Sequence, residues 1–327
     1  MEMAIKNQTL VFLPLREKKR SIKRVFEIDA IRGLLIILMV LDHIAYDFGL
    51  LMPDFFILAQ GPQWLQDLSI WSEGYWFELW RINIRYVVIA LFYILIGLSA
   101  YFSRNSLKRG MLLLGFGSII SIVAYIGSLL LQTNMFIFFG IISCLGVSLI
   151  LYSLLRLFFL KTTGSKKAWK WIALFLSLLF LITGYWMRID IASATLTSSN
   201  WWLISNGRLT PVLNTYTYVG GVFTPIEYDA ATKWAIIIGQ YWYGVDWAGL
   251  FPYMGYAFLG GFIGEALYGN KKSLIFKKES HLQNRVEKMF KPLTFIGSKT
   301  IYIYLLHQVV LAGLAFLVFI LAGTPLK

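Results

Sequence analysis

Residues 27–47 read EIDAIRGLLIILMVLDHIAYD, and this stretch decides the class of fold. From Ile31 to Leu51 the chain is apolar enough and long enough to cross a bilayer core of about 30 Å as one helix of about 20 residues. Six further apolar stretches follow, about Ile84–Phe102, Met111–Leu131, Met135–Phe159, Trp169–Met187, Trp247–Tyr268 and Leu293–Leu321. No soluble domain buries that many. The expected fold is an all-α integral membrane protein, a polytopic bundle of about seven transmembrane helices with a cytoplasmic N-terminus. Composition agrees: 58% of the 327 residues are hydrophobic and 14% charged, where a soluble domain is about half apolar and about a quarter charged. No repeat, low-complexity region or separate soluble domain is apparent, so the chain divides into a basic segment, 1–25, and one membrane domain, 26–327.

The formal net charge of +13 would suggest nucleic acid in a soluble protein. In a membrane protein it marks cytoplasmic loops, and no nucleic-acid partner is expected. The basic run from Arg16 to Arg24 precedes the first span with no small-residue cleavage site after it, so a cleavable signal is not expected. With the N-terminus inside, the inner segments hold that run, Arg104, Lys108 and Arg109, the cations from Arg156 to Lys170, and those from Lys271 to Lys291. The outer segments hold Arg81, Arg85, Arg188, Arg208, Lys233 and Lys327, and seven spans put the C-terminus outside. Cys144 stands alone among three histidines, which excludes a disulfide within this sequence and disfavours a metal site.

The expected outer segments, Met52–Asn83 and Arg188–Asp246, are rich in Trp and Tyr with scattered acids. Two readings stay open: an aromatic belt at the membrane interface, or a platform for a sugar or lipid head group, with rings for apolar faces and carboxylates for hydroxyls. The second segment, with Trp201, Trp202 and the apolar piece Trp234–Gly239, has room for re-entrant or interfacial helices.

The first span also carries a polar face. Arg32 and His43 are eleven residues apart, three turns plus about 20°, hence on one face and about 16 Å apart along the axis. Asp29 lies three residues before Arg32 and Asp47 four after His43, on the same side. An ionisable group at the depth of His43 is costly and faces the bundle interior or a water-filled cavity. As a catalytic imidazole it would be oriented by Asp47, or by Asp42. The blander alternative is a histidine bonded to a neighbouring helix. Arg32 suits a phosphorylated cofactor arriving at the inner mouth. Equally, it is a flanking arginine paired with Asp29, and Lys108 and Arg109 are orientation signals.

These residues resemble the start of the heparan-alpha-glucosaminide N-acetyltransferase catalytic family, related to broader transmembrane acyltransferases whose first helix carries an arginine, ten residues, then a histidine. Further segments are similar in order: Leu91–Ser99 with Ser106–Gly110 after it, Phe139–Ile142, Asp246 through Pro252 to Gly260, and Gly297–Gln308. The resemblance covers about Phe26 to Ala322. One departure stands out: Ser143 occupies a position where a histidine is expected.

The resemblance implies an enzyme that moves an acetyl or other acyl group from cytoplasmic acyl-CoA to an amine or hydroxyl of an extracytoplasmic sugar or glycan. Taken with the residue reading above, this assigns catalytic roles to His43, Asp47 and Asp42, and acetyl-CoA binding to Arg32, Asp29 and Arg109. Arg85, Asp246 and His307 would bind the acceptor, although each also reads as a helix-end charge or a packing residue. His281 is expected to be solvated in a basic loop able to touch anionic lipid heads or CoA. Gly97 with Ser99, and Gly115 with Gly117, suit close helix packing. His43 acts either as general base on the acceptor or as a nucleophile forming an acyl-imidazole. Expected partners are acyl-CoA, the glycan and membrane lipids, with a homodimer allowed, in what is expected to be a bacterial cytoplasmic membrane. Two competing functions remain: a proton-coupled transporter of a small organic solute, since buried Asp and His also build proton relays, and a non-catalytic scaffold for envelope assembly.

Overall fold

A computed structural model of the chain describes residues 25–103, 105–194, 213, 216–219, 222–244, 246–269, 273–275 and 281–327. The basic N-terminal run, Arg104, Trp201, Trp202, Arg208, most of the loop after Gly269 and the His281 side chain fall outside the described residues.

The elements are α1 (Phe26–Tyr46), a π-helical turn (Asp47–Leu51), α2 (Met52–Phe55), a 3₁₀ turn (Leu58–Gln60), α3 (Gln63–Phe77), α4 (Leu79–Phe102), α5 (Ser106–Leu131), α6 (Ile141–Thr163), α7 (Lys166–Ala194), a hairpin of β1 (Tyr216–Val219) and β2 (Val222–Pro225), α8 (Ala230–Ile238), α9 (Leu250–Leu267), α10 (His281–Met289), α11 (Lys291–Ser298) and α12 (Thr300–Leu321). The hairpin is antiparallel, with Tyr216 opposite Pro225 and Val219 opposite Val222. The described residues are otherwise helices and their connections, and the protein is a multi-pass integral membrane protein.

Among the described residues, six helical stretches are long and apolar enough to cross a membrane: Phe26–Phe55, α4, α5, α6, Lys166–Met187 and α12. The expected sixth span, α9, is shorter and carries Glu265 and several glycines. It packs against α4, α6 and α7, so it faces protein rather than lipid and needs less hydropathy. The chain ends bear on its status. Ile57 N–H donates to Pro325 O and Lys327 N–H to Phe55 O, both at 2.9 Å. The C-terminus therefore lies beside the far end of the first span, at the opposite end of the bundle from Val25. An odd number of crossings, with α9 among them as the sequence reading expects, agrees with that placement.

Two boundaries correct the sequence reading. The first span is longer than Ile31–Leu51 and runs through the π-turn at Asp47; such turns interrupt helices preferentially at functional sites. The expected last span, Leu293–Leu321, is two helices, because α11 leans across α1 before the chain turns at Lys299 into α12. Gly297 and Gly33 permit this crossing: a Cβ on Gly33 would collide with Leu293 O, and one on Gly297 with Asp29 O. Gly97 and Gly260 do the same where α4 meets α9. Gly117 packs on Ser143 of α6, as expected of a packing glycine, but Gly115 faces open space.

The main core lies among α4, α6, α7 and α9, filled by Tyr93, Tyr152, Trp169 and Phe258. A smaller one ties α2 and the π-turn to α12 through Phe56, Phe316 and Phe319. The outer faces of α5, α7 and α12 expose large apolar side chains such as Ile119, Phe175 and Val309, as lipid-facing helices do. The expected outer loop Met52–Asn83 contains α3, which packs on the π-turn and on α1.

Candidate active site

His43 sits three turns beyond Arg32 on α1, just before the π-turn. Its Nδ1 lies 2.8 Å from Met39 O, one turn back. A carbonyl only accepts, so Nδ1 carries the proton and Nε2 keeps its lone pair. The ring meets that of His307, on α12, edge to face with centroids 4.6 Å apart. His307 repeats the arrangement: its Nδ1 donates to Tyr304 O at 2.7 Å, and its Nε2 is buried with no partner. The first and last spans thus present two imidazoles, each fixed in one tautomer with a basic nitrogen left over.

The group extends toward the loop before α9. Tyr304 touches the His307 ring, with centroids 5.6 Å apart, and its hydroxyl donates to Asp246 Oδ2 at 3.4 Å. The Arg85 charge acts on His43, Asp246 and Tyr304 alike, and its guanidinium lies 5.2 Å from the Trp242 ring. Burial pushes the Asp246 carboxyl up to about 6, against the lowering effect of Arg85. The Asp246 backbone is left-handed, φ 53°, a region uncommon outside glycine and best tolerated by Asn and Asp. Local pairing holds it there: Ile141 N–H donates to Asp246 O at 3.0 Å and Ala248 N–H to Phe139 O at 3.2 Å. Two segments far apart in sequence, Phe139–Ile142 and the turn at Asp246, form one structure.

Asp47 requires a correction. It was expected to orient His43, but the Met39 carbonyl does that. Asp47 is 0% exposed and takes a hydrogen bond of 2.5 Å from Gln308 Nε2, so it joins α1 to α12, while its Oδ2 and Gln308 Oε1 are buried without partners. Asp42 is also engaged elsewhere. It accepts two hydrogen bonds from Arg81, one from Nε at 2.6 Å, and one from Tyr75 OH at 3.2 Å. Arg81 is 3% exposed and lies 3.5 Å over the Trp76 ring. This part-buried ion pair pins α3 and the start of α4 to α1 beside His43.

At the other end, Arg32 Nη1 donates to Asp29 Oδ1 at 2.8 Å, and Nη2 donates to Ser99 Oγ. Arg32 remains 23% exposed. Arg109 is exposed in the first turn of α5, with no ion pair among the described residues, so the structure does not bring it to Arg32 and Asp29. Glu27 anchors the segment after α9 by accepting from Tyr268 OH, Ser273 Oγ and Leu274 N–H at 3.3, 2.8 and 2.7 Å. Ser143, where a histidine was expected, points at Gly117 on α5. A histidine there would strike α5 rather than reach His43.

The structure therefore gathers His43, His307, Asp246 and Arg85, diverts Asp47 and Asp42 into helix-to-helix bonds, and leaves Arg109 apart. Sequence reasoning placed Tyr304 and Gln308 near His307 but missed Arg81 as the partner of Asp42, Tyr304 as that of Asp246 and Gln308 as that of Asp47. Each meets its mate across at least 39 residues of chain, beyond any helical period.

A family model described as "Heparan-alpha-glucosaminide N-acetyltransferase, catalytic" matches residues 24–309. No curated protein and no solved structure matches the chain.

Proposed function

The chain belongs to the heparan-alpha-glucosaminide N-acetyltransferase catalytic family, and from that premise we propose that it carries an acetyl group from acetyl-CoA to an amine or hydroxyl of a glycan, with His43 as the reacting imidazole. The observation that carries this reading is the paired histidines: rings 4.6 Å apart on the first and last spans, each with Nδ1–H spent on a carbonyl.

In the direct route, Nε2 of His43 takes the proton of the acceptor as its nitrogen or oxygen attacks the thioester carbonyl. The C–S bond then breaks and the thiolate leaves, with the imidazolium as the nearest acid to protonate it. In the two-step route Nε2 attacks first, CoA thiolate departs, and the acceptor discharges an acetyl-imidazole. His307 is suited to hold the acceptor's nucleophilic atom, since its own Nε2 has no other partner. Tyr304, Asp246 and Arg85 form a polar path from that point toward the expected outer side. Arg32, whose side chain is 23% exposed beside Ser99, stands at the opposite mouth, where a guanidinium suits a donor phosphate.

The deciding experiment incubates purified protein with radiolabelled acetyl-CoA, with and without glucosamine-type acceptors. Label should pass to the acceptor, and His43→Ala should abolish this in a protein that still folds. Wild-type turnover in that variant would refute the role. Label held on protein without acceptor selects the two-step route.

A further inference from the structure

The Arg32 end of the bundle holds a second feature that acetyl transfer does not use. Where α6 ends and α7 begins, a cavity of about 320 Å³ opens beside the last turn of α9. Tyr101, Arg156, Lys166, Lys167, Lys170 and Glu265 line it. Glu265 Oε1 accepts from Arg156 Nη2 at 2.8 Å and from Nε at 3.3 Å, so the one lining carboxylate is already matched. The three lysines have no acidic partner among the described residues.

The helix makes this surplus sharper. α7 is 29 residues long and has no acidic residue in its first turn, although a helix N-terminus carries about half a positive charge and favours anions. Lysines there have the unfavourable sign. The preference for cations on the cytoplasmic side explains their presence, but not their convergence on a helix start around a cavity. A phosphate would relieve all of these charges at once.

The surroundings identify what carries the phosphate. Leu157 and Phe158, next in α6 after Arg156, and Trp171 and Phe175, after Lys170 in α7, are exposed, and Lys170 Nζ lies 4.9 Å from the Trp171 ring, an arrangement suited to the membrane interface. Toward the interior, Tyr152 packs edge-on to Trp169 and Phe258, all fully buried, so the cavity is closed off from the core. We propose that it binds the phosphate of an anionic phospholipid, whose chains lie along the exposed faces of α6 and α7.

Native mass spectrometry of the purified full chain tests this, using phosphatidylglycerol and phosphatidylcholine with identical chains. Phosphatidylglycerol should be retained preferentially. Lys166→Gln, Lys167→Gln and Lys170→Gln together should reduce that preference by roughly tenfold or more, since each lysine at an anionic lipid surface contributes about a fivefold factor. Glu265→Gln should raise it by freeing Arg156, a change of opposite sign that a folding defect cannot mimic. Equal retention of the two lipids, or an unchanged preference in the triple variant, overturns the proposal. Displacement of the lipid by 3′,5′-ADP overturns the lipid as the source of the phosphate. None of these outcomes depends on whether the protein transfers acetyl groups.

Discussion

At the scale of single residues, the site is defined by which nitrogen and oxygen atoms remain uncommitted. His43 and His307 each give their proton to a main-chain carbonyl, so substitution should separate chemistry from packing. His43→Ala should lower transfer by about 10²–10⁴-fold, the usual worth of a general base, or abolish it on the nucleophilic route. His307→Ala should act mainly on KM for the acceptor, and steady-state kinetics with each substrate varied in turn would separate the two. Asp246 gives a pH prediction. Its folded value of about 6 lies above the ordinary 3.8, so between those values the native state binds the proton more tightly than the unfolded chain. Stability is then greatest at low pH, falls as pH rises through about 6, and levels off. Asp246→Asn should flatten this dependence in thermal unfolding scans between pH 4.5 and 8 (bounds set by the about 6 value); a slope unchanged from the wild type would remove Asp246 as its source. His43 was legible in sequence because an imidazole that deep has few innocuous explanations. Its orienting group was not: a nearby carboxylate and a carbonyl one turn back are equally within reach of a helical side chain, and only coordinates show that Asp47 is held by Gln308.

At the scale of elements, close helix crossings set the geometry that brings α12 to α1. Small residues allow such approach in membranes, where packing rather than water drives association, but small residues in sequence do not reveal which of them are used. Gly97 and Gly115 look alike in sequence. In the fold, a Cβ on Gly97 would collide with Ala257 O, whereas one on Gly115 meets nothing within 4 Å. Gly97→Ala should therefore destabilise by about 1–3 kcal/mol or more through overpacking between α4 and α9. Gly115→Ala should be neutral or stabilising by up to about 1 kcal/mol through helix propensity. Unfolding of both variants in the same detergent tests the contrast, and equal effects would contradict the crossing at Gly97. The broken last span has the same origin. Hydropathy alone merges α11 and α12 into one run, because the polar interruption Ser298–Thr300 is short and holds one charge; the tight contact of Gly297 with α1 is what gives α11 its own direction. Similarly, α3 was hidden in a loop whose Trp and Tyr content suggested a belt or a head-group platform rather than a helix, and it is anchored to α1 by Tyr75 OH on Asp42, beside the Asp42–Arg81 pair.

For the whole molecule, the order of spans carries function because it decides which ends meet. Residues of the first span, the segment before α6, the turn before α9 and the last span form one site only if the first and last helices run the same way and end together. The hydrogen bonds of Ile57 and Lys327 to each other's strands of chain put those ends side by side, while Val25 and Arg32 sit at the other end with Ser99, Arg156 and the start of α7. On the proposed function, donor and acceptor mouths open on opposite faces, and His43 lies nearer the end that holds the C-terminus. Six crossings would return the C-terminus to the N-terminal side and uncouple this arrangement, so the prediction is that α9 crosses despite its modest hydropathy. A single cysteine introduced as Lys327→Cys in a Cys144→Ser background checks the point in intact cells. A membrane-impermeant maleimide should label it without permeabilisation, as the charge bias of the loops also requires, whereas a cysteine introduced at Lys166 should react only after the membrane is opened. Labelling of both positions from the same side would mean that α9 does not cross, and the two-sided transfer path would fail with it.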